Sequence, residues 1–338
     1  MKLKLLQRVL GLTALVMVSM SSLPTQAASF SNVYIFGDSL SDSGNNFAAG
    51  LYDPGQVISG NTYVPSFTYF KGSNAFGTYS NGPTWASDFT AALGLSAIPS
   101  LAGGTNYAFG GAVTSGAGFP YSLTVQMGQF LSQVSNTAPS DALYVVAGGG
   151  NNARAAAAAL ATPGLSFAQQ ISIISANASH FATDIGNMVD TLQAAGAQNI
   201  VVWNAPNLGT SPFANATGTQ AIGTLLASTM NDALAYRLVS ETDVKTFDIF
   251  GLVGQVIANP AAFGISNYSD ACGAAINSCN PATALYWDAI HPTAQGHLVI
   301  ADAMLNLVAA PVPEPETYAL MVLGLLVVGI AVRRRQSV

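Results

Sequence analysis

Five short apolar runs, at residues 33–36, 106–109, 142–147, 199–203 and 244–249, constrain this chain more than any other feature. Each is too short for a core helix and lacks the polar alternation of a half-exposed strand, so each reads as a buried parallel strand. Helical stretches fall between them. Pro83 stands in the first turn of a helix expected over 83–93, a position where its missing N–H costs nothing. Leu123, Met127, Phe130, Leu131 and Val134 recur at helical spacing. Long helices are expected within 166–195 and 219–239. A last helix is expected over 294–309, with Leu298, Ala301, Leu305 and Val308 on one face and Thr293 as its N-cap. Strands alternating with helices predict an α/β fold, a parallel sheet of about five strands covered on both faces.

In such sheets, ligands collect at the carboxyl ends of the strands. The first run is followed by Gly37-Asp38-Ser39, the second by Gly110-Gly111, the third by Gly148-Gly149-Gly150-Asn151 and the fourth by Asn204-Ala205-Pro206. Four strand ends therefore carry Ser, Gly or Asn on one edge. Two long excursions, 47–82 and 253–287, are expected to wall a site there. Tyr63, Phe67, Tyr69, Phe70, Phe76 and Tyr79 lie in the first excursion. They either line an acyl groove, stack on sugars, or pack the loop onto the sheet. The Ala-rich run from Ala153 to Ala161 is helix-prone and otherwise silent. No internal repeat is evident.

A serine hydroxyl becomes a nucleophile only when a base takes its proton. Ser39 sits on a turn directly after the first strand, and Asp288-Ala289-Ile290-His291-Pro292-Thr293 stands just before the last helix. His291 is the candidate base, and Asp288 the acid that fixes its tautomer. Pro292 disfavours a helical conformation at His291, so both side chains belong to a loop. In isolation, Asp288 and His291 also read as turn and capping residues. A tetrahedral oxyanion needs donors. The N–H groups of Ser39 and Gly110 and the Asn151 amide are the candidates, with Gly110 preferred over Gly111. No convincing Gly-x-Ser-x-Gly elbow is present, which argues against a standard α/β-hydrolase. Neither a Gly-Lys-Ser/Thr ending nor Gly-x-Gly-x-x-Gly spacing supports phosphate binding.

Between residues 29 and 311 the only basic side chains are Lys71, Arg154, Arg237 and Lys245, against 14 acidic ones, a balance of −10. Such a surface repels phosphate backbones, so nucleic acid is excluded as a partner. Cys272 and Cys279 are the only cysteines. In an exported chain they are expected to form a small local disulfide. Without nearby Cys or His partners they make a poor zinc site. No cofactor and no metal are implied.

The two ends read as addresses. Residues 1–28 have a charged start (Lys2, Lys4, Arg8), an apolar run from Val9 to Met20 and small residues at Thr25-Gln26-Ala27-Ala28. That is the pattern of a secretory signal peptide, with a membrane anchor as the alternative. The body then spans 29–311. In the tail, 312–338, Val312-Pro313-Glu314-Pro315-Glu316 precedes the apolar run 318–332 and Arg333-Arg334-Arg335. As a helix that run is roughly 22 Å long, short for a full span, and the arginines belong on the cytoplasmic side. The tail resembles the PEP-CTERM sorting segment of Gram-negative bacteria that make exopolysaccharide; a plain single-span anchor is the alternative. The resemblance implies export, transient anchoring, processing by an exosortase, and display at the cell surface or in an exopolysaccharide matrix.

The body, in turn, resembles the GDSL, or SGNH, family of serine esterases and lipases. The resemblance rests on four ordered blocks: Gly37 to Asn45, Asn106 to Gly111, Gly149-Gly150-Asn151-Asn152, and Asp288 to Thr293. Phe76 to Gly82 and Trp203 to Gly209 resemble two further segments of larger members. The resemblance implies a flavodoxin-like three-layer α/β/α sandwich. It implies Ser39 as nucleophile, His291 as base and Asp288 as its partner, with Gly110 and Asn151 as oxyanion donors. Asn152 departs from the family's usual Asp. The expected activity is hydrolysis of carboxylic esters of lipids, acyl esters or acetylated polysaccharide. With no long apolar lid evident, short or medium acyl chains are favoured. The competing reading is a catalytically silent, polysaccharide-binding or structural matrix protein on the same fold.

Overall fold

The computed structural model describes residues 30–71 and 74–309. The leader 1–28 and the tail 312–338, with its apolar run, lie outside the described residues. The chain divides into two units; one is Phe30–Leu305, and of the other only residues 306–309 are described.

Four parallel strands form the central sheet: β1 (Val33–Gly37), β5 (Leu143–Ala147), β6 (Asn199–Trp203) and β7 (Val244–Phe247), in the order β1-β5-β6-β7. The register runs Phe36 beside Val146 and Val146 beside Val202. The expected strand at 106–109 is not a regular strand. It lies along the outer side of β1 in parallel fashion, through Ile35 N–H to Thr105 O, Tyr107 N–H to Ile35 O and Phe109 N–H to Gly37 O. Its only bridge to β1 pairs Asn106 with Ile35. On its far side it meets only Pro99, through a single bridge at Asn106, so the segment keeps the hydrogen bonds of a fifth position without a full ladder. Counted by position, the order is 2-1-3-4-5, the flavodoxin-like winding.

Successive strand residues point to opposite faces. Phe36, Tyr144, Val146, Ile200 and Val202 join Phe130 of α3 (Leu123–Gln133), Phe181 and Ile185 of α5 (Phe167–Ala195) and Met230 of α7 (Gln220–Leu238) in one buried cluster. From the other face, Trp203 packs on Trp85 of α2 (Trp85–Ala92), with ring centroids 4.7 Å apart, and on Phe247 at 4.8 Å. The remaining helices are α1 (Asn45–Ala48), α4 (Gly150–Leu160), α6 (Pro212–Thr217), α8 (Ile249–Ala258) and α9 (Ala294–Ala309).

Thr293 caps α9 as expected, its Oγ1 accepting from Gly296 N–H at 3.0 Å. The buried stripe of α9 keeps Ala301 and Val308 of the expected one but shifts away from Leu298. His297, Ile300, Ala301 and Met304 are buried, while Leu298 is 42% exposed. The physical cause is the close approach at Gly296, where a Cβ would sit 2.6 Å from Leu285 O. That contact turns the His297 side of the helix inward.

The first excursion is not an irregular loop. It holds a small sheet, β2 (Tyr52–Asp53), β3 (Thr68–Lys71) and β4 (Asn74–Thr78), with β2–β3 parallel and β3–β4 antiparallel. The second excursion carries short 3-10 turns and a Cys272–Cys279 disulfide. Among the described residues no helix is long and apolar enough to cross a membrane, and no group of three or more His, Cys, Asp or Glu could hold a metal ion.

Candidate active site

Ser39 stands at the carboxyl end of β1 on a tight turn. Asp38 O accepts the N–H groups of Ser41 and Asp42, and Asp38 Oδ1 accepts that of Leu40. Asp288 builds the opposite side. Its Oδ1 accepts the N–H groups of Ile290 at 2.9 Å and His291 at 2.8 Å, which bends the loop back so that both side chains face the same way. The Trp287 N–H bond to His291 O closes this turn. His291 Nδ1 lies 2.8 Å from Asp288 Oδ2, and His291 Nε2 lies 2.8 Å from Ser39 Oγ. Asp288 is fully buried, His291 is 4% exposed and Ser39 is 9% exposed. Three residues spread over 252 positions thus form one continuous hydrogen-bonded row.

The Phe76 to Gly82 block supports the histidine loop. The Tyr79 ring lies 5.2 Å from the His291 ring. Ser80 Oγ donates to Pro292 O at 2.9 Å, and Asn81 Oδ1 accepts the Ala294 N–H at the start of α9. The Trp203 to Gly209 block is also architectural. Asn204 Nδ2 donates to Asp248 Oδ1, and Asn207 Oδ1 accepts from Gly209 N–H and Thr224 Oγ1.

The candidate oxyanion donors are placed unequally. Asn151 opens α4 beside Ser39. Its Nδ2 donates to Ala112 O at 2.9 Å, which leaves a second amide hydrogen. The Gly110 N–H is already committed: it donates to the buried Asp42 Oδ2 at 3.0 Å. Gly110 is held tightly in place, since a Cβ there would come within 2.1 Å of the Tyr79 ring. The preference for Gly110 therefore does not fit the hydrogen bonding. Its neighbour Gly111, at φ +85°, lines the cleft beside Asn151 and has the N–H that is not spent on Asp42.

Asn152 spans the gap to the next loop, accepting from Thr114 N–H at 3.1 Å and donating to Thr114 Oγ1 at 2.9 Å. Thr114 Oγ1 in turn donates to Asp184 Oδ2. An amide serves here because it both donates and accepts.

Four further residues near the row shape its hydrogen bonding and charge. Tyr69 Oη donates to Asp288 Oδ2 at 2.9 Å. Burial, then the Asp288 charge, pushes the Tyr69 phenol far up, so it keeps its proton as donor. Asp42 accepts the N–H groups of Gly44, Asn45, Asn46 and Gly110; burial pushes it up to about 6 against those bonds. Asp38, beside Ser39, is likewise pushed up to about 6 by burial. His297 is a core histidine, pushed down to about 3 by burial and then by His291, and stays neutral. A run of Asp residues after the first strand was a readable signal for Asp38 and Asp42. Nothing in the local sequence marks Tyr69.

Comparison with known proteins shows the family of the chain. The family model described as GDSL-like lipase/acylhydrolase matches residues 33–304, and the chain belongs to that family. Residues 311–335 match the PEP-CTERM protein-sorting motif, which marks the chain for C-terminal sorting. Among curated relatives, the esterase EstA of Pseudomonas aeruginosa is 28% identical over 337 residues, covering 88% of this chain and 50% of EstA. A phosphatidylcholine-sterol acyltransferase of Aeromonas hydrophila is 26% identical over 270 residues, 78% of this chain and 70% of the relative. The chain spans about half the length of the first curated relatives it matches. Among solved structures, Est24, a carbohydrate acetylesterase from Sinorhizobium meliloti, aligns with a TM-score of 0.43 at 14% identity, over 82% of this chain and 98% of that one. At that score the likeness carries no argument.

Proposed function

We propose that this protein is a serine carboxylic ester hydrolase working through an acyl-enzyme. The observation that carries the reading is the row Ser39 Oγ–His291 Nε2–His291 Nδ1–Asp288 Oδ2, with 2.8 Å at both links. His291 Nε2 takes the Ser39 proton as Oγ bonds to the ester carbonyl carbon. The carbonyl oxygen becomes an oxyanion, held by the N–H groups of Ser39 and Gly111 and the free amide hydrogen of Asn151. The ester C–O bond then breaks, and the alcohol leaves with the proton from His291. A water repeats the sequence: it gives its proton to His291, attacks the acyl carbon and releases the acid, and Ser39 recovers its proton. Asp288 keeps Nδ1 protonated throughout, and Tyr69 holds Asp288.

The terminal segments support an extracytoplasmic location for this chemistry. In this reading the leader exports the chain, the tail anchors it briefly, and an exosortase-type enzyme passes it to the surface or the exopolysaccharide matrix. The PEP-CTERM match supports this address.

Hydrolysis of p-nitrophenyl esters by the purified wild type and by Ser39→Ala tests the activity. Turnover abolished by the substitution is expected. A wild type inert toward esters of every chain length would favour the silent matrix-protein reading.

A further inference from the structure

Ser39 and His291 line a small hollow of about 60 Å³. Next to it lies a cleft of about 820 Å³. The two share Asn151, Arg154, Leu208, Ser211 and Ile290, so they adjoin along these residues, with Ser39 on the wall of the smaller one. The cleft runs along α4, facing Leu208, α6 and the first turns of α7. The Ala-rich run makes this space. Ala157, Ala158 and Ala161 present only methyl groups to it, and Val113, Phe213 and Ile222 supply the opposing apolar surface.

The wall chemistry selects the occupant. Arg154 is the one charged residue on the wall, and it sits at the shared end. The hydroxyls on the wall are already paired: Ser211 Oγ donates to Leu208 O, Thr217 Oγ1 donates to Phe213 O, and Thr219 Oγ1 pairs with Thr217 Oγ1. A sugar would find few free partners there and would leave its own hydroxyls unpaired. An aliphatic chain meets no such penalty.

The direction follows from the proton. The departing alcohol must receive it from His291 Nε2, so the alcohol belongs in the small hollow that His291 lines. The acyl group then points the other way, past Gly111 and Asn151, into the cleft.

Resting on the proposed ester hydrolysis, we infer that the cleft along α4 is an acyl-chain site and that the substrates are esters of long unbranched acids. The ten positions from Asn151 to Ala161 cover roughly 15 Å, the reach of about a dozen methylenes. A methylene takes roughly the volume of a water molecule, ~30 Å³, so a twelve-carbon chain needs about 360 Å³, well inside the cleft. This proposal departs from the expectation of short or medium chains drawn from the lack of a lid: the room lies between helices.

The test compares p-nitrophenyl laurate with p-nitrophenyl acetate. Each buried methylene is worth roughly fourfold, so wild-type kcat/KM is expected to rise at least a hundredfold from acetate to laurate. In Ala158→Phe, and separately in Ala161→Phe at the end of α4, the laurate-to-acetate ratio is expected to fall at least tenfold. A wild type that prefers acetate, or a ratio unchanged in both variants, overturns the proposal. Laurate binding to Ser39→Ala by calorimetry separates this claim from the chemistry. Binding that weakens tenfold or more in Ser39→Ala/Ala158→Phe supports the cleft even if no ester is turned over. Absent binding, or binding that ignores Ala158→Phe, overturns it even if esters are hydrolysed.

Discussion

The Tyr69 hydroxyl and the Asp288 carboxylate stand 219 positions apart in the chain and 2.9 Å apart in the fold. Tyr69 donates to Oδ2, the oxygen that also faces His291 Nδ1 at 2.8 Å. Both backbone bonds to Asp288 fall on the other oxygen, Oδ1. Every acceptor site that orients the carboxylate is therefore engaged, and the excursion that carries Tyr69 becomes part of the proposed catalytic apparatus.

Tyr69→Phe removes that donor and keeps the ring, which packs edge-on against Trp287. A hydrogen bond to a charged group is worth about 1.5–3 kcal/mol. We expect kcat to fall about tenfold or somewhat more, with KM within twofold, because Asp288 touches no substrate. Steady-state kinetics on one ester checks this. An unchanged kcat would show that the two Oδ1 bonds suffice.

Asn151→Ala removes a proposed oxyanion donor and the Asn151 bond to Ala112 O. Loss of one such donor typically costs 10²–10³ in kcat. We expect a decrease in that range, with the thermal midpoint shifted by only a few degrees. A loss below tenfold would move the oxyanion away from Asn151.

Asp38 sets a pH dependence whose sign can be worked out. Burial raises its carboxyl from 3.8 to about 6 in the folded protein. The folded state therefore binds the proton more tightly than the unfolded state between those values. Stability from this group is present below about pH 4 and is lost as pH rises through 6. Asp38→Asn cannot ionise, so relative to wild type it should gain on the order of 2–3 kcal/mol between pH 4 and pH 7. Urea unfolding of both proteins at the two pH values measures the difference. A difference that stays constant, or shrinks, contradicts the assignment.

The Cys272–Cys279 disulfide closes a short loop whose backbone bonds to the segment leading into Asp288: Cys272 N–H donates to Tyr286 O and Gly273 N–H to Trp287 O. Closing a loop of this size contributes about 2.5 kcal/mol by chain entropy. Reduction under native conditions is expected to lower the thermal midpoint by several degrees. Cys272→Ser/Cys279→Ser should match the reduced protein, and a midpoint indifferent to reductant would contradict the role.

What could be read in the chain follows from what is local. Strands such as Leu143–Ala147 bury both faces and announce themselves as apolar runs. Helices such as Phe167–Ala195 announce themselves by spacing and by the capping box of Ser166 and Gln169. Ser39, Asp288 and His291 were legible because each needs a particular turn, and those turns have local residue signatures. The rest depends on partners distant in sequence. The 106–109 segment has a strand's composition, but bridges its two neighbours only at Asn106, to Ile35 and to Pro99. Tyr69 has no signal because its partner lies 219 residues away. The choice between Gly110 and Gly111 turned on Asp42, whose carboxylate takes one of the two N–H groups. The alanines of α4 looked silent because what they supply is an empty volume.

The central claim is that Ser39 is a nucleophile activated by His291. Incubation with a fluorophosphonate, followed by mass spectrometry of the digested protein, tests it most directly. We expect one adduct, on the peptide carrying Ser39, formed by the wild type and absent from His291→Ala and Ser39→Ala. A wild type that stays unlabelled, or that carries its adduct on another residue, would contradict the account.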